Sequence, residues 1–400
     1  MIEKKLKTIK GFLGNSIHSG VKYKNFDLSV IYSEKDCIAA GSFTENLTAA
    51  APVILSRSKI NNSIRAIIVN SGNANAATGQ RGYDDAKKMC ALAAENLNID
   101  EDSILVSSTG VIGVHLPMEK IENGIKEIGP TLTEENIINI PEGIMTTDTF
   151  KKHGSVEFTI DNEKIVINGM AKGSGMIHPN MATMLSFLTT NINISKDLMQ
   201  KALSEVVKDT FNMISVDGDT STNDMVLLLS NQTAMNNHIV NEDENYKIFK
   251  NALHEILEYL SISIARDGEG ATKLLKVTLS SASTKESARI LAKSVITSSL
   301  VKSAFFGEDA NWGRILSALG ASGAFMDPGK VDLSFKGELN KIDLMKYGEP
   351  LNFSEENAAE ILAEKEIEII IDLNIGDYSA KAWGCDLTYD YVKINADYRT

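Results

Sequence analysis

The amino-acid sequence predicts a layered α/β or α+β fold, because strand-like and helix-like segments are mixed over the whole length of 400 residues. The C-terminal part is mostly strand-like and includes a hairpin-like run at 369–387, unlike a strictly alternating parallel sheet. Short apolar or alternating runs predict strands at 63–72, 103–110, 155–169, 223–231, 274–282 and 366–376. Helical spacing of apolar residues predicts helices at 83–97, 195–211, 246–260, 285–305 and 354–365.

Local signals mark where some of these elements begin. Ser195 and Ser354 each precede a predicted helix. Serine is a favoured N-cap residue, because its hydroxyl oxygen accepts a hydrogen bond from a free backbone N–H of the first turn. A Gly-rich stretch and a strand-like run precede the helix that follows Ser195. The sequence therefore places a candidate domain boundary near residue 190.

Composition and charge narrow the class of protein. Hydrophobic residues make up 43% and charged residues 23% of the chain, as in ordinary globular proteins. A net charge of −13 disfavours nucleic acid and anionic membranes as partners, because no basic field is present to hold phosphates. Cys37, Cys90 and Cys385 are odd in number and far apart, which fits a reducing compartment. With no apolar stretch of about 18 residues, we expect a soluble, cytoplasmic protein.

Several familiar catalytic and metal-binding motifs do not occur in the sequence. The chain has no GxSxG elbow, no GxxxxGK[ST] phosphate loop, no HExxH and no CxxC. The run DGDTSTND at 217–224 is faintly similar to a calcium loop. It lacks the glycine at the sixth position, and Leu228 stands where such a loop has its bidentate glutamate. We therefore predict no metal site.

Clusters of Thr, Gly and Asn are the unusual feature that remains. Each cluster alone is typical of a loop, but together they indicate many polar donors around a small ligand, with glycine easing the approach of the backbone. The clusters lie at 70–79, 106–113, 145–152, 267–273 and 306–315.

The stretch MAKGSGMIHPNMATML, at 170–185, combines a flexible turn with a strand-like run that begins just after Thr183. A threonine hydroxyl becomes an effective nucleophile when the chain is cut just before it, since the freed α-amino group then serves as its base. Such an amine has a pKa of about 7.7–8.0. Ala182 is a small residue that would not obstruct the cut. A plain loop-to-strand junction explains the same residues, and spacing alone does not decide between the two.

The same stretch closely resembles the nucleophile segment of the ornithine acetyltransferases of arginine biosynthesis, also called glutamate N-acetyltransferases. Further segments are similar to that family in the same order, so the resemblance covers essentially the whole chain. These segments are VNSGNANAATG, VSSTGVIG, MTTDT, SVDGDTSTND, RDGEGATK, GEDANWGRI and the closing NADYRT.

The resemblance implies a self-processed enzyme with an N-terminal threonine nucleophile and a layered α/β sandwich of sheets packed between helical layers. The precursor would cut itself between Ala182 and Thr183 into an α chain, 1–182, and a β chain, 183–400, which assemble as an α2β2 heterotetramer. Thr183 would carry acetyl from N2-acetylornithine to glutamate by a ping-pong mechanism. The implied oxyanion-hole residues are Thr109 and Gly110, and the implied substrate-binding residues are Thr149, Lys172, Thr183, Glu269, Asn395 and Thr400.

The resemblance requires no cofactor and leaves open whether acetyl-CoA is an alternative acetyl donor. Two departures from the family pattern are His178, where a small residue is usual, and Phe150, where Arg or Val is commoner. Two other functions stay open at this point. One is an amidohydrolase or aminopeptidase that uses the same threonine with water as the acceptor, and the other is a binding protein for amino acids without catalysis.

Overall fold

The computed structural model of the chain describes residues 1–178 and 184–397. Its strands are β1 Phe12–Ile17, β2 Leu28–Phe43, β3 Ile64–Asn73, β4 Ile104–Val111, β5 Lys152–Ile160, β6 Glu163–Lys172, β7 Leu185–Thr190, β8 Ile214–Ser215, β9 Met225–Ser230, β10 Leu274–Ala282, β11 Asp332–Lys336, β12 Lys341–Lys346, β13 Glu349–Pro350, β14 Glu366–Asp372 and β15 Tyr378–Cys385. Its α-helices are α1 Ala51–Lys59, α2 Gly79–Leu97, α3 Met118–Ile128, α4 Ile140–Gly143, α5 Lys196–Asp209, α6 Glu244–Arg266, α7 Lys285–Thr297, α8 Ser299–Phe306, α9 Trp312–Gly320, α10 Glu355–Leu362 and α11 Tyr389–Ala396. In the described ranges, no helix is both long and apolar enough to cross a bilayer.

The chain divides into two compact units. The first unit contains Met1–Gly173, Pro179–Phe211 and Thr220–Leu260, and the second contains Ser174–His178, Asn212–Asp219 and Ser261–Thr400. The predicted boundary near residue 190 is wrong, because β7 and α5 on either side of it both belong to the first unit. The main crossing lies inside α6 instead, where the helical pattern runs on without a break.

The first unit is built on a mixed sheet with the strand order β4-β3-β2-β9-β7-β6-β5, in which β1 also pairs with β2. Both faces of this sheet are covered. In β3, Ile67 and Val69 belong to one apolar core, whereas Ala66 and Ile68 belong to another that includes residues of α1, α2 and α3. Since successive side chains of a strand point to opposite faces, this alternation confirms the predicted layered α/β sandwich.

The second unit is built on a second mixed sheet, with the order β13-β12-β11-β14-β10-β15-β8. The hairpin predicted at 369–387 does not form. β14 and β15 both pair with β10, the first parallel and the second antiparallel, so β10 lies between them. α7 packs against β10 and β15.

Local sequence signals explain how several elements end. Ser195 and Ser354 are N-caps, accepting hydrogen bonds from the backbone N–H groups of Leu198 and Asn357. The strand predicted at 155–169 is two strands, β5 and β6, because Asp161 and Asn162 both adopt positive φ and form a tight turn.

The helix predicted at 285–305 is two helices, because the chain is extended at Ser298. The Ser298 hydroxyl accepts a hydrogen bond from the Val301 N–H and so caps α8.

Strand pairing in the first unit brings several strand ends to one edge of the sheet. Lys172, the last residue of β6, pairs with Leu185, the first residue of β7. Leu185 in turn pairs with Met225, the first residue of β9. Residues that end β6 or precede β7 and β9 are therefore neighbours at this edge.

Replacing Phe187 by alanine tests how strongly this sheet depends on β7. Phe187 is fully buried in one of the two cores, so Phe187→Ala leaves a cavity as well as losing buried apolar area. We expect the free energy of unfolding to fall by about 3–5 kcal/mol in urea titrations. Phe325→Ala is the control, because Phe325 is 67% exposed, and its effect is expected to stay within about 0.5 kcal/mol. Equal effects of the two changes would contradict this packing.

Candidate functional site

The end of β4 carries a glycine that no other residue could replace. Gly110 has a φ of +134°, and a Cβ built on it would lie 2.2 Å from the carbonyl carbon of Gly72. β3 and β4 approach each other this closely because Gly72 is paired with Gly110. The neighbouring Thr109 is buried, whereas Gly110 stays partly exposed. The backbone at Gly110 is thus accessible to a ligand without a side chain in the way.

Hydrogen bonds from Asn223 join two of the polar clusters, those at 70–79 and 106–113. Its Nδ2 donates to the carbonyl oxygens of Ala74, at 2.5 Å, and of Ser108, at 2.8 Å. The Ser108 hydroxyl donates to Asn70 Oδ1 at 2.6 Å. The run at 217–224 therefore contributes the Asn223 amide, which joins these segments by hydrogen bonds. In the part of the chain that the structure describes, no group of three or more acidic, His or Cys side chains could hold a metal ion.

Lys172 brings a positive charge to Thr109. It is 8% exposed, and its Nζ donates to Thr109 Oγ1 at 3.3 Å. Two of the residues predicted for the site are thus in direct contact. Thr149, predicted to bind substrate, is an exposed residue next to the buried Asp148 in the chain.

Asp148 is the anion that acts on the positive charge of Lys172. No motif in the sequence indicated a role for it. Its carboxylate accepts hydrogen bonds from Lys152 Nζ and the Gly173 N–H, both at 2.7 Å, and from the Thr146 N–H at 3.0 Å. Burial acts to raise the pKa of Asp148, but the ammonium groups of Lys172 and Lys152 outweigh it and hold this pKa at about 2. Asp148 is therefore ionised at neutral pH.

A third lysine, the half-buried Lys22, acts on Lys172, and no motif in the sequence indicated it. The Nζ of Lys22 donates to the carbonyl oxygens of Phe26, at 2.9 Å, and of Met145, at 2.6 Å. Burial lowers the pKa of Lys22 to about 8; the nearby Lys172 adds to this shift, and Asp27 opposes it. Lys22 thus adds positive charge near Lys172 below that pH.

The second unit brings together two other predicted residues, Glu269 and Asn395. Glu269 is 7% exposed, and Asn395 Nδ2 donates to its Oε2 at 3.0 Å. A Cβ added to Gly175 would lie 2.2 Å from the same oxygen. The carboxylate therefore packs directly against the backbone of the Gly-rich stretch, where the Glu269 N–H also donates to the Ser174 carbonyl oxygen at 3.0 Å. A buried carboxylate held in this way suits an ammonium group.

Three predicted residues, Ala182, Thr183 and Thr400, lie outside the described residues. His178 is described, and its Nδ1 lies 3.1 Å from the Ser215 hydroxyl oxygen. Burial, together with the charge of Lys293, lowers the pKa of His178 to about 4. The imidazole is consequently neutral near pH 7.

The carboxylate of Asp148 gives the first unit a pH-dependent stability. Its folded pKa of about 2 lies below the ordinary value, so its contribution is fully present above about pH 4 and is lost as the pH falls towards 2. Asp148→Asn also leaves the buried Lys152 without its anion, and we expect a loss of about 3 kcal/mol at pH 7 in urea titrations. The difference from wild type should shrink between pH 4 and pH 2. Asp36→Asn, at an exposed carboxylate, should change little; a constant deficit in Asp148→Asn down to pH 2 would contradict the pairing.

The chain is similar to known proteins over nearly its whole length. A model of the ArgJ family matches residues 14–400. The arginine biosynthesis bifunctional protein ArgJ 1 of Clostridium acetobutylicum is 52% identical over 399 residues, covering 99% of this chain and 98% of that protein. The arginine biosynthesis bifunctional protein ArgJ of Thermotoga neapolitana is 49% identical, covering 98% and 99% respectively.

One solved structure is similar in sequence and fold. A crystal structure of the arginine biosynthesis bifunctional protein ArgJ from Bacillus halodurans matches with 46% identity and a TM-score of 0.51, over 54% of this chain and 99% of that one. The family model and the relatives match nearly the full length of this chain, and the solved structure matches about half of it. This chain belongs to the ArgJ family.

Proposed function

We propose that this protein transfers an acetyl group from N2-acetylornithine to glutamate, in arginine biosynthesis, through an ester on Thr183. The observation that carries the proposal is the contact of Lys172 with Thr109 beside the partly exposed backbone of Gly110. It combines a buried cation, a hydroxyl group and an accessible backbone in one place, as the recognition of an acylated amino acid requires. The names of the relatives support the pathway.

The nucleophile forms when the precursor cuts itself between Ala182 and Thr183. The Thr183 hydroxyl adds to the carbonyl carbon of Ala182, the peptide C–N bond breaks, and water hydrolyses the resulting ester. This leaves chains 1–182 and 183–400, the second beginning with a free α-amino group that serves as the base for its own hydroxyl. The matched crystal chain is about half as long as this one, which supports a division near the middle.

In the first half-reaction, Thr183 attacks the acetyl carbonyl of N2-acetylornithine and ornithine leaves. The oxyanion that develops is stabilised by the Thr109 hydroxyl and the Gly110 N–H. Because Thr109 Oγ1 accepts a hydrogen bond from Lys172, its own proton remains available for the oxyanion. The Lys172 ammonium also pairs with the α-carboxylate of the substrate, while Thr149 and Thr400 complete the binding residues.

In the second half-reaction, glutamate attacks the acetyl ester and leaves as N-acetylglutamate. Both substrates share an α-acylamino acid frame, so the same groups bind each in turn, which gives ping-pong kinetics. Glu269, held by Asn395, receives the side-chain ammonium of ornithine, a group that glutamate lacks. Water must be kept from the ester until glutamate arrives.

The proposal includes no cofactor, because the acetyl group moves between substrates through Thr183 alone. The relatives are named bifunctional, which supports acetyl-CoA as a second acetyl donor to glutamate. The two chains are proposed to assemble as an α2β2 heterotetramer in the cytoplasm.

An acetyl-transfer assay tests the proposal and separates it from the alternatives. The purified protein is incubated with N2-acetylornithine, with and without glutamate, and ornithine and N-acetylglutamate are measured; acetyl-CoA then replaces acetylornithine. We expect ornithine release that depends on glutamate and matches the N-acetylglutamate formed. Release without glutamate would indicate a hydrolase, and no release would indicate a binding protein.

A Thr183→Ala variant in the same assay tests the nucleophile. We expect it to remain one 43.5 kDa chain on a denaturing gel and to lose activity by at least about a thousandfold, whereas wild type gives two fragments. Thr159→Ala, at an exposed position of β5, is the matched control and should cut and turn over normally. Full turnover of uncut Thr183→Ala would overturn the proposal.

Replacing Glu269 by glutamine tests how the two substrates are distinguished. The neutral amide no longer pairs with the ornithine ammonium, so kcat/KM for acetylornithine should fall about 10–100-fold, the effect of losing a charged hydrogen bond. The KM for glutamate should change by less than about threefold. Glu356→Gln, at an exposed position of α10, is the control. Equal losses for both substrates would show that Glu269 does not read the side chain.

A further inference from the structure

The side chain of Lys22, in the first unit, packs on the backbone near the end of β3. A Cβ built on Gly72 would lie 3.0 Å from Lys22 Cγ, so the stem of this lysine covers Gly72 directly. Gly72 is paired with Gly110, and the two backbones are so close that Gly110 leaves no room for a Cβ. The stem of Lys22 therefore lies against the strand partner of the backbone proposed to stabilise the oxyanion.

The ammonium group of Lys22 contacts a second segment of the candidate site. Its Nζ donates to the carbonyl oxygens of Met145, at 2.6 Å, and of Phe26, at 2.9 Å. Met145 is the first residue of the polar cluster at 145–152, and residues 145–147 are partly exposed. Lys22 thus connects the end of β3 with the cluster that contains Asp148.

Lys22 and Lys172 approach the same pair of residues from different elements. Lys172, at the end of β6, donates from its Nζ to Thr109 Oγ1 at 3.3 Å. Lys22, in the loop that precedes β2, packs on Gly72, which is level with Gly110. The ends of β3 and β4 are therefore in contact with two separate lysine side chains.

The loop that carries Lys22 is held by a different group, the buried carboxylate of Asp27. This carboxylate accepts hydrogen bonds from the Ser19 N–H at 2.6 Å and the Ser19 hydroxyl at 2.7 Å. It also accepts them from the backbone N–H groups of Gly20, at 3.0 Å, and of Lys22, at 2.9 Å. None of these bonds uses the Lys22 side chain, so the loop does not depend on the ammonium group for its shape.

No carboxylate pairs with the Lys22 ammonium in the ranges that the structure describes. Its partners there are two neutral carbonyl oxygens, which leaves one of its three N–H bonds for a ligand. Lys152, by contrast, is fully buried and paired with Asp148 at 2.7 Å. Removing a cation from water without an anion is costly, so its retention indicates that an anion binds there.

The second substrate of the proposed reaction supplies such an anion. Glutamate carries two carboxylates, and its α-carboxylate takes the place of that of ornithine at Lys172. Its side-chain carboxylate has no counterpart in acetylornithine, whose ammonium is assigned to Glu269. Because Lys152 already has its anion, Lys22 is the lysine of this group that can receive the second carboxylate.

We propose that Lys22 binds the side-chain carboxylate of glutamate in the second half-reaction and so selects the acetyl acceptor. This inference rests on the proposed function. Glu269 recognises the side chain of the donor and Lys22 that of the acceptor, so each unit of the chain contributes one of the two contacts. A neutral carboxamide gains less from an ammonium group than a carboxylate does, and the site therefore prefers glutamate to glutamine.

Acceptor specificity tests this assignment. Purified full-length wild type, Lys22→Met and Lys24→Met are assayed with saturating N2-acetylornithine and with either glutamate or glutamine as the acceptor. Methionine keeps most of the stem but removes the ammonium, so kcat/KM for glutamate should fall about 10–100-fold. The value for glutamine should change by less than about threefold. Lys24 is exposed in the same loop, and Lys24→Met, the matched control, should behave as wild type.

Two further measurements separate a contact with the acceptor from a structural role. In ping-pong kinetics, kcat/KM for acetylornithine reports the first half-reaction alone, and in Lys22→Met it should stay within about threefold of wild type. The melting temperature should stay within about 3 °C.

Lys22→Arg keeps the assignment testable if Lys22→Met does not fold. The guanidinium retains the charge but carries it further from the backbone. Aspartate, a shorter acceptor than glutamate, should therefore gain relative to glutamate by about threefold or more in kcat/KM.

The outcomes also distinguish this inference from the proposed function. If wild type transfers acetyl to glutamate but Lys22→Met keeps the wild-type preference, or loses glutamate, glutamine and acetylornithine equally, the assignment of Lys22 is overturned and the proposed function stands. An unchanged ratio of aspartate to glutamate in Lys22→Arg overturns it as well. If wild type transfers no acetyl group to glutamate, the proposed function itself fails.

Discussion

The pairing of β7 between β6 and β9 is the constraint from which the candidate site follows. All six residues of β7 are buried, and the strand pairs antiparallel to β6 and parallel to β9. A slip of one residue would turn every buried side chain to the opposite face, so the register is strongly fixed. It places Lys172, the last residue of β6, and Asp224, which directly precedes β9, on either side of the point where β7 begins.

Several charged side chains are buried at this edge of the sheet. Lys172 and Lys152 both act on the one carboxylate of Asp148, and the burial of Asp224 favours its neutral form, in which it cancels neither cation. In a region of low dielectric, an incoming carboxylate is attracted to a lysine ammonium more strongly than it would be in water. In the second unit, the Glu269 carboxylate accepts a hydrogen bond from the neutral amide of Asn395.

The periodic spacing of apolar residues explains which helices and strands could be predicted from the sequence. Long periodic segments predicted α2, α5 and α6 and the strands β3, β4 and β9, because burial of one face or of both leaves a clear repeat. The prediction of a hairpin at 369–387 was wrong, because β14 and β15 each pair with β10 and not with each other. β10 lies about a hundred residues earlier in the chain, so the local sequence does not indicate this pairing. Thr109, Lys172, Glu269 and Asn395 were found through family resemblance. In the structure Lys172 contacts Thr109 and Asn395 contacts Glu269, and their roles stay predictions.

Other residues of the site gave no signal in the sequence. Lys22 stands in an ordinary lysine-containing stretch, and Asp148 and Asp224 stand in polar runs that are typical of loops. What distinguishes them is burial and the identity of their neighbours, which arise only when distant strands pair. Asn223 is similar, because its amide bridges two strand ends more than a hundred residues upstream.

The way the two units use the chain has a consequence for the protein once it is cut. Residues 174–178 belong to the second unit, whereas β7 and β9 belong to the sheet of the first. After a break that follows residue 182, each unit would contain segments of both pieces. β6 would stay hydrogen-bonded to β7 across the break, and β2 would stay hydrogen-bonded to β9. The pieces could then separate only by breaking the hydrogen bonds of two strand pairs whose residues are mostly buried, so strand pairing would hold the cut pieces together.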